Sequence, residues 1–288
     1  MSAPSNASGA RSEQSLRSRP RLRVFHDDVA NSTGIRFDTF RKAIAVRAWL
    51  GRHLHSEVEV VVPDEVSEGE LAQTHAEEYL DAIRTGEPYN DASSNGLGWD
   101  ESLWGSVVAS TSAAVAAVLY ALRCGGVAAA TSSGLHHARW DQGAGFCTLN
   151  GLVVAARAAL AAEAKRVLII DLDAHCGGGT ASLIVGLDGV EQVDVSVVPF
   201  DSYPSTDQAR LWTPSADDYL QVVGEALDSV ANPTEVDVVI YNAGMDPHER
   251  AGGVSGITAE VLRARDRMVM EWTERHGLPV GFVLAGGY

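Results

Sequence analysis

Positive charge is scarce in this chain. Lys and Arg total 22 against 38 Asp and Glu, a formal net charge of −16 over 288 residues. Nucleic-acid phosphates need a basic surface, so this balance argues against nucleic acid as a direct partner. It suits a cationic substrate, although many proteins are acidic. Cysteine is also scarce: Cys124, Cys147 and Cys176 stand apart, with no CxxC pair. That excludes a disulfide framework, and a reducing cytoplasm is the simplest setting. Residues 1–20 lack the apolar segment of a signal peptide. Rich in Ser, Arg, Ala and Pro, they read as a disordered tail. No uninterrupted apolar run reads as long enough to span a membrane, so no membrane partner is expected.

What is present is a 45% apolar content arranged in short β-branched runs. These are Arg21–Phe25, Val58–Val62, Val127–Ala130, Val167–Asp171, Val193–Val198, Val236–Tyr241 and Val280–Leu284. Most read as strands buried on both faces, as in a parallel sheet. Helical patterns lie between them: Phe40–His53, Glu68–Arg84, Leu103–Arg123, Gly151–Ala164, Ser215–Val230 and Thr258–Arg275. Gly86–Gly98 reads as a loop. The alternation predicts one doubly wound α/β domain over 21–288, with a mainly parallel sheet of about seven to eight strands flanked by helices.

In such a sheet, ligands bind beyond the carboxyl ends of the strands. The polar residues obey that rule. Asp171, Asp173 and His175 end the fourth run, and alternation puts all three on one side. His136 and His137 follow the third run, Asp246 the sixth and Tyr288 the seventh. Two carboxylates and an imidazole suit a divalent metal such as zinc with one open position. Adjacent histidines suit a proton-transfer pair, because imidazole titrates near neutrality. Each piece has a plainer reading: loop histidines, a structural ion pair at Asp173 and His175, an Asp-Pro turn at Asp246 and Pro247. Cys147 and Cys176 read as small buried hydrophobes rather than nucleophiles.

Together, His136–His137, Gly145–Phe–Cys147 with Asn150, Asp171–Leu–Asp–Ala–His175, Ala243–Gly–Met–Asp246 and Gly286–Gly–Tyr288 resemble the histone deacetylase family. The likeness runs from about Leu22 to Tyr288 and includes the weaker Thr74–Leu80 stretch. It implies an arginase–deacetylase fold and a zinc-dependent amidohydrolase, with iron(II) or another divalent ion as the alternative. The substrate would be acetyl-lysine or a small acetylated amine such as a polyamine. Asp173, His175 and Asp246 would hold the metal. His137 would act as general base and then acid, beside His136, which Asp171 would orient. Tyr288 would hydrogen-bond the substrate carbonyl. Gly145, Phe146 and Tyr203 would line the substrate channel. Asp171 and Ser196 would match a structural potassium site.

Three departures qualify the resemblance. Gly178 stands where many relatives carry an acid or amide supporting the second histidine, so His137 is expected to lean on other groups such as backbone carbonyls. Cys176 replaces a frequent histidine. The chain ends at Tyr288, where relatives continue. A truncated, weakly active or inactive binding protein that retains metal is therefore the competing reading. A manganese hydrolase of the arginase type is a third, disfavoured by Gly177 and Gly178 where a further carboxylate would help. Asp100 reads either as a substrate-gripping loop acid or as a helix cap.

Overall fold

The computed structural model describes residues 21–31, 38–132 and 134–287. The expected tail at 1–20 and Tyr288 lie outside them. The strands are β1 (Leu22–Phe25), β2 (Val58–Val61), β3 (Val127–Ala130), β4 (Val167–Asp171), β5 (Val190–Val195), β6 (Ala209–Trp212), β7 (Val238–Asn242) and β8 (Val280–Val283). The helices are α1 (Asp38–His53), α2 (Glu68–Leu71), α3 (Glu77–Thr85), α4 (Tyr89–Ala92), α5 (Leu103–Cys124), α6 (Gly151–Ala161), α7 (Gly178–Ile184), α8 (Tyr219–Asp228) and α9 (Ala259–His276).

All eight strands join one sheet in the order β2-β1-β3-β8-β7-β4-β5-β6, and every pairing is parallel. The doubly wound α/β expectation holds. Alternation along β4 explains why. Val167 and Ile169 enter the core beneath α5 and α6. Leu168 and Ile170 enter the core beneath α8 and α9. A strand covered on both faces needs an unbroken apolar run, and β4 is buried throughout.

Five details differ from the sequence expectation. β6 (Ala-Arg-Leu-Trp) is a half-buried edge strand, so it has no apolar run to reveal it. The Glu68–Arg84 pattern splits into α2 and α3 because Ala76 takes an extended conformation and donates its N–H to the Trp140 carbonyl. The Gly86–Gly98 loop contains α4, and the glycine turn after Cys176 opens α7. Finally, α5 is long and apolar enough to cross a bilayer by composition alone, contrary to the reading above. Here 72% of its most apolar window is buried inside the domain, so it serves as a core helix.

The long excursion between β3 and β4 places β8 and β7 between them. The carboxyl ends of β3, β4, β5, β7 and β8 thus face one region, where the chemistry-bearing loops meet.

Candidate active site

Strand β4 ends at Asp171, and Asp173 follows it in the loop. Asp171 Oδ2 lies 2.9 Å from His136 Nδ1, and Asp171 Oδ1 accepts 2.7 Å from Asn242 Nδ2 on the adjacent strand. Two residues on, Asp173 Oδ1 accepts from the His175 N–H at 3.0 Å. Asp246 arrives from the loop after β7, where its Oδ1 accepts from the Ala174 N–H at 3.2 Å.

One donor atom from each of Asp173, His175 and Asp246 lies within 4.8 Å of the others. His175 Nδ1 is 3.2 Å from Asp173 Oδ1 and 3.1 Å from Asp246 Oδ2. A tetrahedral ion with bonds of roughly 2.0–2.1 Å sets its ligand atoms about 3.3–3.4 Å apart. Asp246 Oδ2 is buried and receives no aligned hydrogen bond. Such a deficit is costly in a protein interior, and a cation would relieve it. The residues therefore fit a divalent metal. The other candidate group among the described residues, His136, His137 and Cys147, has no carboxylate. Burial pushes the Cys147 thiol up and the Cys176 thiol up to about 12, so neither is a ready nucleophile.

The two histidines stack with ring centroids 3.9 Å apart, yet their environments diverge. Burial disfavours charge on His136, but the carboxylates of Asp171 and Asp173 outweigh it and raise its pKa well above the ordinary value. Burial, then the neighbouring His136, lowers His137 to about 4. The two environments thus push the imidazoles in opposite directions, His136 toward its charged form and His137 toward its neutral form.

His137 does not rely on backbone carbonyls. Its Nδ1 lies 2.9 Å from Asp201 Oδ2, in the loop after β5. This residue was not foreseen, and it corrects the expectation of a histidine without acidic support. The signal was present in a negative form. Gly178 has no side chain, and a Cβ there would meet Asp201 Oδ1 at 2.6 Å.

The same loop corrects the cleft lining. A cleft of about 530 Å³ is bounded by Ser94, Asn95, Gly96, His137, Ala144, Gly145, Phe146, His175, Val198 and Phe200. Gly145 and Phe146 are where expected. Gly145 has φ of +49°, and any Cβ on it would strike the His137 ring, so only glycine lets this turn close over the imidazole. Tyr203 does not line the cleft. Its hydroxyl donates 3.2 Å to Asp194 and accepts 2.8 Å from Gln192 Nε2, in the interior. Phe200 takes the wall position, edge-on to His137 at 5.1 Å between centroids.

Ser196 lies at the end of β5, beside Asp171's strand, but its hydroxyl is 2.5 Å from Asp194 Oδ1. Asp194, directly opposite Asp171 in the strand register, was also unforeseen. Gln192 Oε1 and Asn242 Oδ1 are buried nearby without hydrogen-bond partners. Asp100 accepts from the Ser102 N–H at 2.8 Å, in the turn before α5, whose cap position is Ser102.

Several residues hold this frame. Asn150 caps α6 through Val153 N–H and donates its amide to the carbonyls of His136 and Ala138 at 3.2 and 3.1 Å. His75, from the weak Thr74–Leu80 stretch, accepts from Asn150 N–H at 2.9 Å and donates to the Arg139 carbonyl at 2.8 Å. Fully buried Arg265 donates to the carbonyls of Leu172 and Gly244 at 3.0 and 2.6 Å, tying together the two loops that carry Asp173 and Asp246. Lys42 donates to the carbonyls of Leu284 and Gly286 at 2.7 and 2.5 Å, so the segment leading to Tyr288 is held against the site.

Comparison with known proteins places the chain in a family. The chain is 36% identical over 177 residues to an uncharacterized protein of Picosynechococcus, covering 57% of this chain and 56% of that protein. It is 29% identical over 164 residues to histone deacetylase 2 of Arabidopsis thaliana, covering 54% and 42%. It is 30% identical over 174 residues to a probable deacetylase of Archaeoglobus fulgidus, covering 53% and 47%. The matches thus span about half the length of these curated relatives. The crystal structure of the HDA15 HD domain shares the fold, with a TM-score of 0.74 at 21% identity over 93% of this chain and 86% of that one. The family model of the histone deacetylase domain matches residues 36–288, and the chain belongs to that family.

Proposed function

We propose that this domain is a metal-dependent amide hydrolase that removes an acetyl group from acetyl-lysine or from a small acetylated amine such as a polyamine. The observation that carries this reading is the convergence of Asp173, His175 and Asp246 beside a neutral His137 at an apolar cleft. The mixed oxygen and nitrogen set favours zinc over calcium or magnesium, with iron(II) or another divalent ion as the alternative. Bound there, such an ion supplies Lewis acidity and makes a water acidic near neutral pH.

The protein's own groups supply the rest. With Nδ1–H donated to Asp201, His137 keeps the Nε2 lone pair to take a proton from the attacking water. It then returns that proton to the departing amine. Cationic His136 offsets negative charge growing on the acyl oxygen. Tyr288 remains the proposed hydroxyl donor to that oxygen. Phe146, Phe200 and Val198 give the methylene chain of the amine an apolar wall. A potassium ion near Asp171 and Ser196 belongs to the same proposal as a structural support.

The rival reading, an inactive metal-retaining binder, drew on the missing acid at position 178 and on the place of Tyr288; Asp201 answers the first, and Tyr288 lies outside the described residues. The arginase-type manganese reading wants a second carboxylate-rich group, and the described residues offer none. The test is bound-metal analysis beside turnover of acetyl-lysine peptides and acetylpolyamines. Protein that holds zinc and hydrolyses none of them would refute the enzyme reading.

A further inference from the structure

Asp201 sits in an unusual backbone position. Its φ is +60°, a left-handed conformation that non-glycine residues adopt at a cost, aspartate less than most. Its side chain is only 8% exposed, although a loop carboxylate would ordinarily face water. Three donors account for the burial. His137 Nδ1 and the Gly179 N–H approach Oδ2 at 2.9 and 3.1 Å, and Arg139 Nη2 approaches Oδ1 at 2.5 Å. Arg139 also donates through Nη1 to the His137 carbonyl at 3.2 Å, so it braces both partners of the pair. Burial alone would raise the Asp201 pKa, but the bonds from His137 and Arg139 outweigh it and hold the carboxyl below its usual range.

Position 178 explains why the acid comes from this loop. Besides Asp201 Oδ1, a Cβ on residue 178 would meet Asp201 Cγ at 2.8 Å and collide with its backbone carbonyl. A side chain at 178 and the observed Asp201 loop exclude each other. The glycine is thus the space that the relocated acid needs.

We propose that Asp201, braced by Arg139, is the positioning residue that fixes the tautomer and orientation of His137, in place of an acid at position 178. Its effect on turnover rests on the deacylase reading above; its effect on the imidazole does not. Because Phe200 precedes it and packs on His137 and on His175, one loop both holds the base and walls the cleft.

The experiment compares wild type with Asp201→Ala, Asp201→Asn and Arg139→Met by two readouts. In proton NMR, the His137 Nδ1–H, assigned by its loss in His137→Gln, is expected as a hydrogen-bonded downfield signal. It should vanish in Asp201→Ala. With an acetyl-lysine peptide, kcat of Asp201→Ala should fall roughly 10- to 100-fold, the range for losing a histidine's outer partner, at unchanged metal content. Added formate should restore part of it, a rescue that a merely structural role would not show. Arg139→Met should show a smaller loss of kcat. The near-isosteric Asp201→Asn keeps the loop folded if alanine does not. Wild-type kcat in both Asp201 variants with the NMR signal retained in the alanine variant would overturn the proposal. A wild type that turns over nothing would refute the deacylase reading, and the NMR comparison would still decide the role of Asp201.

Discussion

At the scale of single residues, the two stacked histidines show how environment assigns roles to identical side chains. His136 faces two carboxylates and is kept charged, whereas His137 is buried beside that charge and is kept neutral. His137→Ala should therefore lower kcat by roughly 10²–10⁴-fold, the usual contribution of a general base, while metal analysis finds full occupancy. Asp246→Asn should do the opposite and empty the metal site first. Competition with a chelating dye should show an affinity loss exceeding the roughly 10–100-fold typical of outer-shell changes. Asp173 and His175 were legible because an apolar run ending in Asp-x-Asp-x-His is chemically odd for a buried strand. Asp201 was not, because an aspartate in a polar loop has many ordinary uses. Only its approach to His137 across 64 residues separates it from those.

Among the elements, the helix termini and loop ties decide whether the ligands meet. Asn150 is both the cap of α6 and the donor to the backbone around His137. Asn150→Ala should cost about 1–2 kcal/mol from the cap, with more from the buried carbonyls left unpaired. Urea unfolding would measure the loss. Arg265 acts between elements. Helix α9 carries it under the loops after β4 and β7, where it donates to both. Arg265→Met should leave those carbonyls unsatisfied, destabilise the fold by about 1–3 kcal/mol per group and weaken metal binding without touching the metal. Calorimetry with and without added zinc would separate the two effects. Six helical stretches and seven of the strands were legible from periodicity, but the short helices α4 and α7 and the break between α2 and α3 were not. Strand β6 was not, since a half-buried edge demands no apolar pattern.

For the whole molecule, burial of neutral histidines links stability to pH. His75 is lowered to about 4, mainly by burial, while an unfolded histidine titrates near 6.5. Between those values the unfolded chain takes up a proton that the folded chain refuses. Stability must then fall as pH drops from 6.5 toward 4, by about 3 kcal/mol for this one group. His75→Gln removes the proton but also the imidazole's fit to Asn150 and Arg139. Its stability deficit relative to wild type at pH 7 should narrow as pH is lowered to 4.5, as read by denaturant melts at each pH.

The sequence by itself determined the architecture and which polar residues gather at its carboxyl edge. Strand–helix alternation forces a covered parallel sheet, and polar residues after apolar strands have nowhere to go but its carboxyl edge. Those are local properties of the chain. Tertiary structure alone decided which loop supports His137, which aromatic walls the cleft and what faces Asp171. Phe200 replaces Tyr203 in the wall, and Asp194 faces Asp171 from the adjacent strand. Each of these depends on distances between segments far apart in the chain, set by strand register and by the room a glycine leaves, and neither quantity is written in local pattern.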